Sequence, residues 1–322
     1  MKLLGLACGK KMGNCEILLK EALMEAEKLG VEVEIVRLLD LDIKPCKNCL
    51  KCLRRQEGVD ACVIKDDAPF IWNKVMECDG LIISAPVYTL TPPGYLRVVA
   101  DRVFTSKADV AFAMEYKKAG GIDPRFGTKA FVDERLFKTR VGALVSIGGA
   151  PYFDWVTLAL PVLHTFTFPL QIEIVDQLQL IKIAEPGAVL LDEEAMKRGR
   201  ILGRRVAESM GKPAGEIKYL GDESGTCPVC HLNVLLVVEK STVMCPICGI
   251  KGTLKVSDDA ITVAFSEEEQ KKSRLTFEGK RLHFWEIADV HKEFEQRKHE
   301  LADKLEKYRS YQPYSRPQRK AG

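Results

Sequence analysis

The sequence predicts an α/β fold, in which a doubly wound parallel sheet of five strands is followed by a small four-cysteine module and a helical tail. Short apolar runs, typical of strands buried on both faces, alternate with segments whose apolar residues recur at helical spacing. This alternation favours parallel strands with helices on both sides of the sheet. Loops of distinctive composition follow the first four strands, so we expect them at one sheet edge, where such folds bind ligands.

The individual elements follow from local patterns. The first strand is the apolar run 3–7, and a loop with two glycines separates it from a helix that begins near residue 14. The second strand, 32–38, alternates before it becomes apolar. The remaining predicted strands are 80–84, 141–147 and 171–183, and the remaining helices are 72–78, 94–102, 154–165 and 190–210.

The 322 residues are long enough for about two domains. Residues 105–138 are rich in lysine and glycine and are predicted to be an insertion or arm outside the core. Within the tail, 283–308 has apolar residues at helical spacing and is predicted to be an amphipathic helix that docks on another surface. The predicted divisions are a sheet domain 1–211, a linker 212–224, a cysteine module 225–265 and a charged tail 266–322.

Composition limits the classes of function. The net charge of +3 is too small to favour a nucleic-acid or membrane partner. Glycine, proline and aspartate interrupt the weakly charged stretch 141–172, which therefore suits a buried strand and helix better than a membrane span. No secretion signal is recognised, and we expect a cytoplasmic protein. Eleven cysteines in a reducing compartment point to metal rather than disulfides.

The loop after the first strand is a candidate phosphate site. It contains two lysines and two glycines, and a helix begins directly after it. The free N–H groups and positive dipole end of that helix would face a ligand above the sheet. The sequence matches neither the dinucleotide fingerprint nor a Walker loop, so an ordinary strand-to-helix turn is the alternative interpretation.

Three loops together resemble those of the flavodoxin-like NAD(P)H-dependent FMN reductases and, within them, the iron–sulfur flavoproteins. These loops are ACGKKMGNC after the first strand, APVYTLTPPGYLRVVADR after the third, and SIGGAPY after the fourth. The resemblance covers about residues 1–210. The first loop departs from the family pattern, because Ala7, Cys8 and Cys15 replace the usual glycine, serine and threonine and remove two hydroxyls.

The resemblance implies FMN as cofactor and assigns each loop a part of it. The first loop would hold the phosphate, the second would wrap the ring with Tyr88 able to stack on it, and the third would lie along its polar edge. The implied FMN-binding residues are Cys8, Lys10, Gly13, Asn14, Cys15, Ala85, Pro86, Val87, Tyr88, Ser146, Gly148 and Gly149.

The first cysteine group lies in the loop 46–62, after the second strand. Its spacing is C-x2-C-x2-C-x9-C, from Cys46, Cys49, Cys52 and Cys62, which suits a [4Fe–4S] cubane. Nearby cations would offset the thiolate charge. Cluster-free relatives keep a similar motif, so spare thiols remain the alternative. The four nearby cations are Lys47, Lys51, Arg54 and Arg55.

The second cysteine group, Cys227, Cys230, Cys245 and Cys248, has the spacing C-x2-C-x14-C-x2-C. Two such knuckles joined by a hairpin, 234–238 and 242–244, are typical of a zinc ribbon. Four thiolates equally suit iron in a rubredoxin-like site, and both metals remain open.

The sequence therefore predicts an FMN-dependent oxidoreductase that passes electrons between a [4Fe–4S] cluster or NAD(P)H and a small acceptor or a ferredoxin-type partner. No catalytic side chain is assigned, since the cofactor carries the chemistry. The resemblance implies a dimer or tetramer, with 105–138 and 283–308 as candidate interface elements. The alternatives are a cluster-free NAD(P)H:FMN or quinone reductase, and a non-enzymatic adaptor built around the metal ribbon.

Overall fold

The computed structural model of the protein describes residues 1–54, 62–222, 225–258 and 260–315 and confirms the predicted α/β fold. In chain order the helices and strands are β1 Lys2–Ala7, α1 Asn14–Lys28, β2 Glu32–Arg37, α2 Lys51–Arg54, α3 Ala68–Glu77, β3 Gly80–Pro86, α4 Gly94–Val103, α5 Val110–Lys118, β4 Ile122–Asp123, β5 Thr128–Lys129, β6 Arg140–Ile147, α6 Ala159–Thr167, β7 Ile172–Leu180, α7 Glu193–Ser209, β8 Leu236–Glu239, β9 Thr242–Met244, β10 Lys251–Ser257, β11 Ala260–Ala264, α8 Glu267–Lys271, α9 Phe277–Arg297 and α10 Leu301–Ser310.

The central sheet has five parallel strands in the order β2-β1-β3-β6-β7. Ala7 pairs with Ser84, and Pro86 pairs with Ile147, so β1, β3 and β6 end at one edge. Every residue of β6 is buried, as expected for an apolar run covered on both faces. Two apolar cores flank the sheet, one under α3, α4 and α6 and the other under α1 and α7.

Helices α1 and α7 pack with their backbones very close. A Cβ at Gly203 would lie 2.0 Å from the Ala22 carbonyl oxygen, so no other residue fits there without moving a helix. This contact fixes the position of α1, and with it the loop that precedes α1 at the sheet edge.

The insertion 105–138 is not confined to an arm outside the core. It forms α5 and the short β4–β5 hairpin, and α5 buries Phe112 and Tyr116. These rings contact the fully buried Phe284 of α9, with ring centroids 4.9 and 5.7 Å apart. The predicted tail helix therefore does dock, and the surface it covers is the insertion.

The cysteine module forms a separate antiparallel sheet in the order β11-β10-β9-β8. It lies beside β7, where Gln177 donates to the carbonyl oxygen of His231 at 2.8 Å and the rings of Tyr219 and His231 stack at 3.7 Å. Among the described residues no helix is both long and apolar enough to cross a membrane.

Candidate flavin site and cysteine centres

Backbone hydrogen bonds join the three predicted flavin loops at the carboxyl edge of the sheet. Cys8 N–H donates to Ser84 at 2.9 Å, and Val87 N–H donates to Ile147 at 3.0 Å. Gly148 N–H donates to Leu180 at 2.9 Å, which ties the third loop to the edge strand. The structure therefore brings together loops that the sequence separates by about 140 residues.

The first loop leaves the start of α1 open to an anion. No side chain caps that helix, and Gly13, its N-cap residue, donates its own N–H to Lys10 at 3.0 Å. Buried Glu16 accepts the Met12 N–H at 3.1 Å, which holds the loop in shape. The uncapped N–H groups and the dipole end are the groups that bind phosphate at such positions. Lys10 is exposed beside them.

The resemblance implies that Asn14 binds FMN, but in the structure its side chain bonds to another loop of the protein. Its side-chain amide donates to the carbonyl oxygens of Ile183 and Glu185, at 3.2 and 2.9 Å, and its oxygen accepts the Val189 N–H at 3.2 Å. The side chain thus fixes the loop 183–189 against α1. The backbone N–H of Asn14, at the start of α1, is the group that could donate to a phosphate.

Cys8 and Cys15 are buried, with 0% and 3% of their surface exposed. Burial raises the pKa of Cys8 well above its ordinary value and that of Cys15 to about 12, so both stay neutral thiols. Ser84 donates its hydroxyl to the Cys15 carbonyl oxygen at 2.9 Å and anchors the start of α1 to β3. These thiols fill the space under the loop.

Tyr95 is a site residue that the sequence analysis did not single out. Its hydroxyl is buried, has no hydrogen-bond partner among the described residues, and lies near Cys8, Cys15 and Tyr88. Burial raises its pKa, so the hydroxyl keeps its proton and can donate. Tyr95 stands at the start of α4, a second helix without a side-chain cap. A buried donor without a partner, beside two open helix N-termini, fits the phosphate-bearing end of FMN.

The second loop contains a strained turn. Tyr88 and Thr91 pair through both backbone N–H groups, at 2.8 and 3.3 Å, while Thr89 and Leu90 between them have φ of 49° and 73°. Left-handed conformation is rare for a β-branched residue, and such strain concentrates at ligand sites. The turn presents the Tyr88 ring with 54% of its surface exposed.

The third loop is close-packed and carries unused polar groups. A Cβ at Gly148 would lie 2.4 Å from a methyl group of Val156, so the turn requires glycine. The buried hydroxyl of Ser146 and the side-chain oxygen of Gln179 have no partner among the described residues. These groups and the loop backbone suit the polar edge of an isoalloxazine ring.

Directly after the third loop, the chain exposes three aromatic side chains. Tyr152, Phe153 and Trp155 have 69%, 61% and 56% of their surface exposed. We name Tyr152, Phe153 and Trp155 the aromatic rim. Its composition was visible in the sequence, but only the structure shows that the rings are left uncovered beside the flavin loops.

The described part of the first cysteine group is open. Cys46 and Cys49 are exposed, while Cys52 and Cys62 are half-buried. Arg102 donates to the Cys62 sulfur at 3.5 Å, and Lys107 lies near Cys46, Cys52 and Cys62.

Arg102 and Lys107, which come from α4 and the insertion, are cations that the described residues place beside these thiols. Of the four predicted cations, Arg55 and the side chain of Arg54 lie outside the described residues, so their part stays a prediction. Burial lowers the pKa of Lys107, which the neighbouring thiolates would counteract.

The four sulfurs of the second cysteine group converge in a buried cluster that could hold a metal ion. Its four sulfurs lie within 4.8 Å of one another and are buried, which confirms the predicted four-cysteine centre. Sulfurs of Cys227 and Cys248, and of Cys230 and Cys245, are 3.6 Å apart. Bonds of about 2.3 Å to a tetrahedral ion would place sulfurs roughly 3.8 Å apart, so the donors fit one ion of zinc or iron.

Comparisons with known proteins agree with this geometry. The NADPH-dependent FMN reductase family model matches residues 1–153. The chain is 34% identical to "Flavone synthase cfoJ" of Aspergillus candidus over 89% of this chain and 88% of that protein. It is 38% identical to an "Iron-sulfur flavoprotein" of Methanosarcina thermophila, over 32% of this chain and 52% of that one. A solved structure titled "flavone reductase" has the same fold over 99% of this chain and 100% of its own, with a TM-score of 0.79 and 24% identity.

Proposed function

Because this chain belongs to the NADPH-dependent FMN reductase family, we propose that it transfers a hydride from NAD(P)H, through FMN, to a flavone-like acceptor. The observation that carries the choice of a flavone is the length of the match to flavone synthase, whose name makes flavone one partner of the redox pair; NADPH as the donor in the family name favours the reducing direction. The 294 matched residues exceed the flavin domain 1–211, so the likeness must continue beyond that domain. Whether the flavone is reduced or formed, the chain is an FMN-dependent oxidoreductase.

The chemistry of a flavone suits such a step. Its ring double bond is conjugated with a ketone, so hydride can add at the carbon β to the carbonyl and a proton at the α carbon. NAD(P)H is oxidised to NAD(P)⁺, and the double bond is reduced to the single bond of a flavanone. Bound FMN would be the two-electron carrier between NAD(P)H and the flavone.

The chain's own residues bind and orient the two reactants. The open starts of α1 and α4, with the Tyr95 hydroxyl, would hold the phosphate. Ser146 and the glycine turn after it would hold the polar edge of the ring. The aromatic rim offers flat apolar surface on which a planar acceptor can stack. A second copy of the chain would cover the side of the flavin that these residues leave open, since the family members that this sequence resembles are dimers or tetramers.

Electron entry through a [4Fe–4S] cluster at Cys46, Cys49, Cys52 and Cys62 is the second candidate. It is supported by the match to iron–sulfur flavoproteins and by Lys107, whose charge would offset that of the thiolates; Arg102 also donates to the Cys62 sulfur, although its charge is already paired with Asp66. A ferredoxin-type protein would then be the partner. For the Cys227 group we propose zinc, because the buried four-thiolate ribbon is the usual structural zinc site.

Anaerobic single-turnover kinetics test the proposed function. Protein purified with its flavin should lose its visible flavin band on mixing with NADPH or NADH. Addition of flavone should restore the band and yield one flavanone per flavin. Reduction by NAD(P)H followed by reoxidation with a quinone but not with flavone would instead favour the plain quinone reductase. A colourless protein that cannot bind FMN would refute the proposal.

Metal analysis of the same sample addresses the second candidate. About four iron and four sulfide per chain, beyond the ribbon metal, would support the cluster. A Cys46→Ser and Cys49→Ser double variant that loses this iron but retains single turnover with NAD(P)H would show that the cluster is not required for hydride transfer.

A further inference from the structure

A second cavity lies away from the flavin loops. Its volume is about 540 Å³, within the range of small-molecule sites, and it opens between the insertion, α3, the cysteine loop and α9. None of its lining residues belongs to the three flavin loops. The residues that matter for its chemistry are Trp72, Lys107, Tyr116, Phe126, Ala130 and Phe131.

In one part of the cavity lining, the charged side chains are paired with each other and the aromatic side chains are held in place. Arg125 and Asp123 form a bidentate ion pair at 2.9 and 2.8 Å, and Arg125 donates to the Tyr116 hydroxyl at 2.8 Å. The guanidinium lies over the ring of Phe284, 3.9 Å from its centroid. Its charge is thereby neutralised, and the aromatic side chains around it are held in place.

The cavity is also lined by a cation without a carboxylate partner among the described residues. The Lys107 ammonium lies 5.0 Å from the centroid of the Trp72 ring, and within the described ranges it makes no ion pair with a carboxylate. Among the described residues that line the cavity, Asp123 is the one carboxylate, and it is already paired with Arg125. A half-buried ammonium beside aromatic surface favours a ligand that is both flat and negatively charged.

We propose that this cavity binds a planar aromatic anion, a carboxylate or phenolate of two or three rings, with its charge on Lys107 and its rings against Trp72 and Phe131. The cavity volume and the aromatic walls suit two or three rings, and a cation without a carboxylate partner among the described residues suits a negative charge. Cys52 also lines the cavity, so the ligand would lie next to the cysteine loop rather than on the flavin. This site is independent of the proposed hydride transfer.

Isothermal titration of the flavin-loaded protein with biphenyl-4-carboxylate, and with the neutral biphenyl-4-carboxamide, tests the proposal. The carboxylate should bind one per chain and at least tenfold more tightly than the amide. Lys107→Met should remove that difference, because the variant keeps an unbranched apolar side chain of similar size and loses the positive charge. Ala130→Phe should weaken both ligands, because the added ring fills the cavity.

Lys117→Met is the matched control. Lys117 belongs to the same insertion and lies 5.1 Å from the centroid of the Phe137 ring, but it does not line the cavity. It should leave both affinities unchanged. Equal affinity for acid and amide, binding that survives both Lys107→Met and Ala130→Phe, or a shift of the flavin spectrum on binding would each overturn the proposal.

Discussion

A single hydroxyl, that of Tyr95, gives the sharpest test of the flavin site. Tyr95→Phe should weaken FMN binding by about tenfold, because a hydrogen bond to a charged group contributes roughly 1.5–3 kcal/mol. The apoprotein should be as stable as wild type or slightly more so, since the variant removes a buried donor that has no partner. Fluorescence titration of apoprotein with FMN, with thermal unfolding in parallel, measures both quantities.

Tyr308→Phe is the control for this variant, because Tyr308 is 67% exposed on α10. Unchanged FMN affinity in Tyr95→Phe, or a loss of apoprotein stability that accounts for weaker binding, would contradict the assignment.

At the residue scale, the sequence predicted that the three loops meet at one sheet edge better than it predicted what their individual side chains contact. Cys8 and Cys15 could be expected to fill space, since thiols replace hydroxyls there. The role of Asn14 could not be predicted, because its partners lie about 170 residues further along the chain. Tyr95 was missed because its neighbours Cys8 and Cys15 are about 80 residues away in the chain, and the pairing of β1 with β3 brings the two segments together.

At the scale of the element, the turn between Tyr88 and Thr91 stores strain. Thr89→Asn should stabilise the apoprotein by about 1 kcal/mol, because asparagine tolerates the left-handed conformation that costs a β-branched residue roughly 1–2 kcal/mol. Thr89 is exposed, so the change removes no buried contact. Thermal or urea unfolding measures the gain. Thr89→Val, which keeps the branching, should show no gain, and equal stability of both variants would mean that the turn is not strained.

Whole elements were predictable where their stabilising contacts are local or periodic. The apolar runs of β1, β3 and β6 identify buried parallel strands without further information. The insertion 105–138 was misjudged because its buried face is complementary to Phe284, far away in the chain. No local pattern distinguishes such a face from an exposed arm.

At the scale of the whole molecule, the cysteine module is joined to the sheet by polar contacts along β7. The Gln177 side-chain oxygen accepts a hydrogen bond from Nε2 of buried His164, and its amide nitrogen donates to the His231 carbonyl oxygen. Leu220 N–H donates to Val175 at 2.7 Å, so the linker also lies along this strand. The two apolar cores of the sheet contain no residue of the cysteine module. The module can therefore lose its structure without removing any side chain from those cores.

Removal of the ribbon metal should consequently unfold the cysteine module and leave the flavin-binding sheet domain folded. A structural four-thiolate metal contributes about 10 kcal/mol or more to the folding of such a module, so its sheet should unfold when a chelator or mercurial removes the ion. FMN should stay bound, because none of the three flavin loops contains a ribbon residue. Limited proteolysis would then cut within 226–265 while the flavin absorbance is unchanged.

Cys227→Ser should reproduce the treated state, since it removes one of the four buried ligands. Loss of flavin in step with metal, in both the treated protein and the variant, would show that the contacts along β7 carry the stability of the flavin site. The small sheet would then have to be regarded as part of the same folding unit as the large one. Among the described residues, Leu160 alone packs against both the core under α6 and the apolar cluster around the four cysteines, and so small a shared contact argues that the flavin stays bound when the metal is removed.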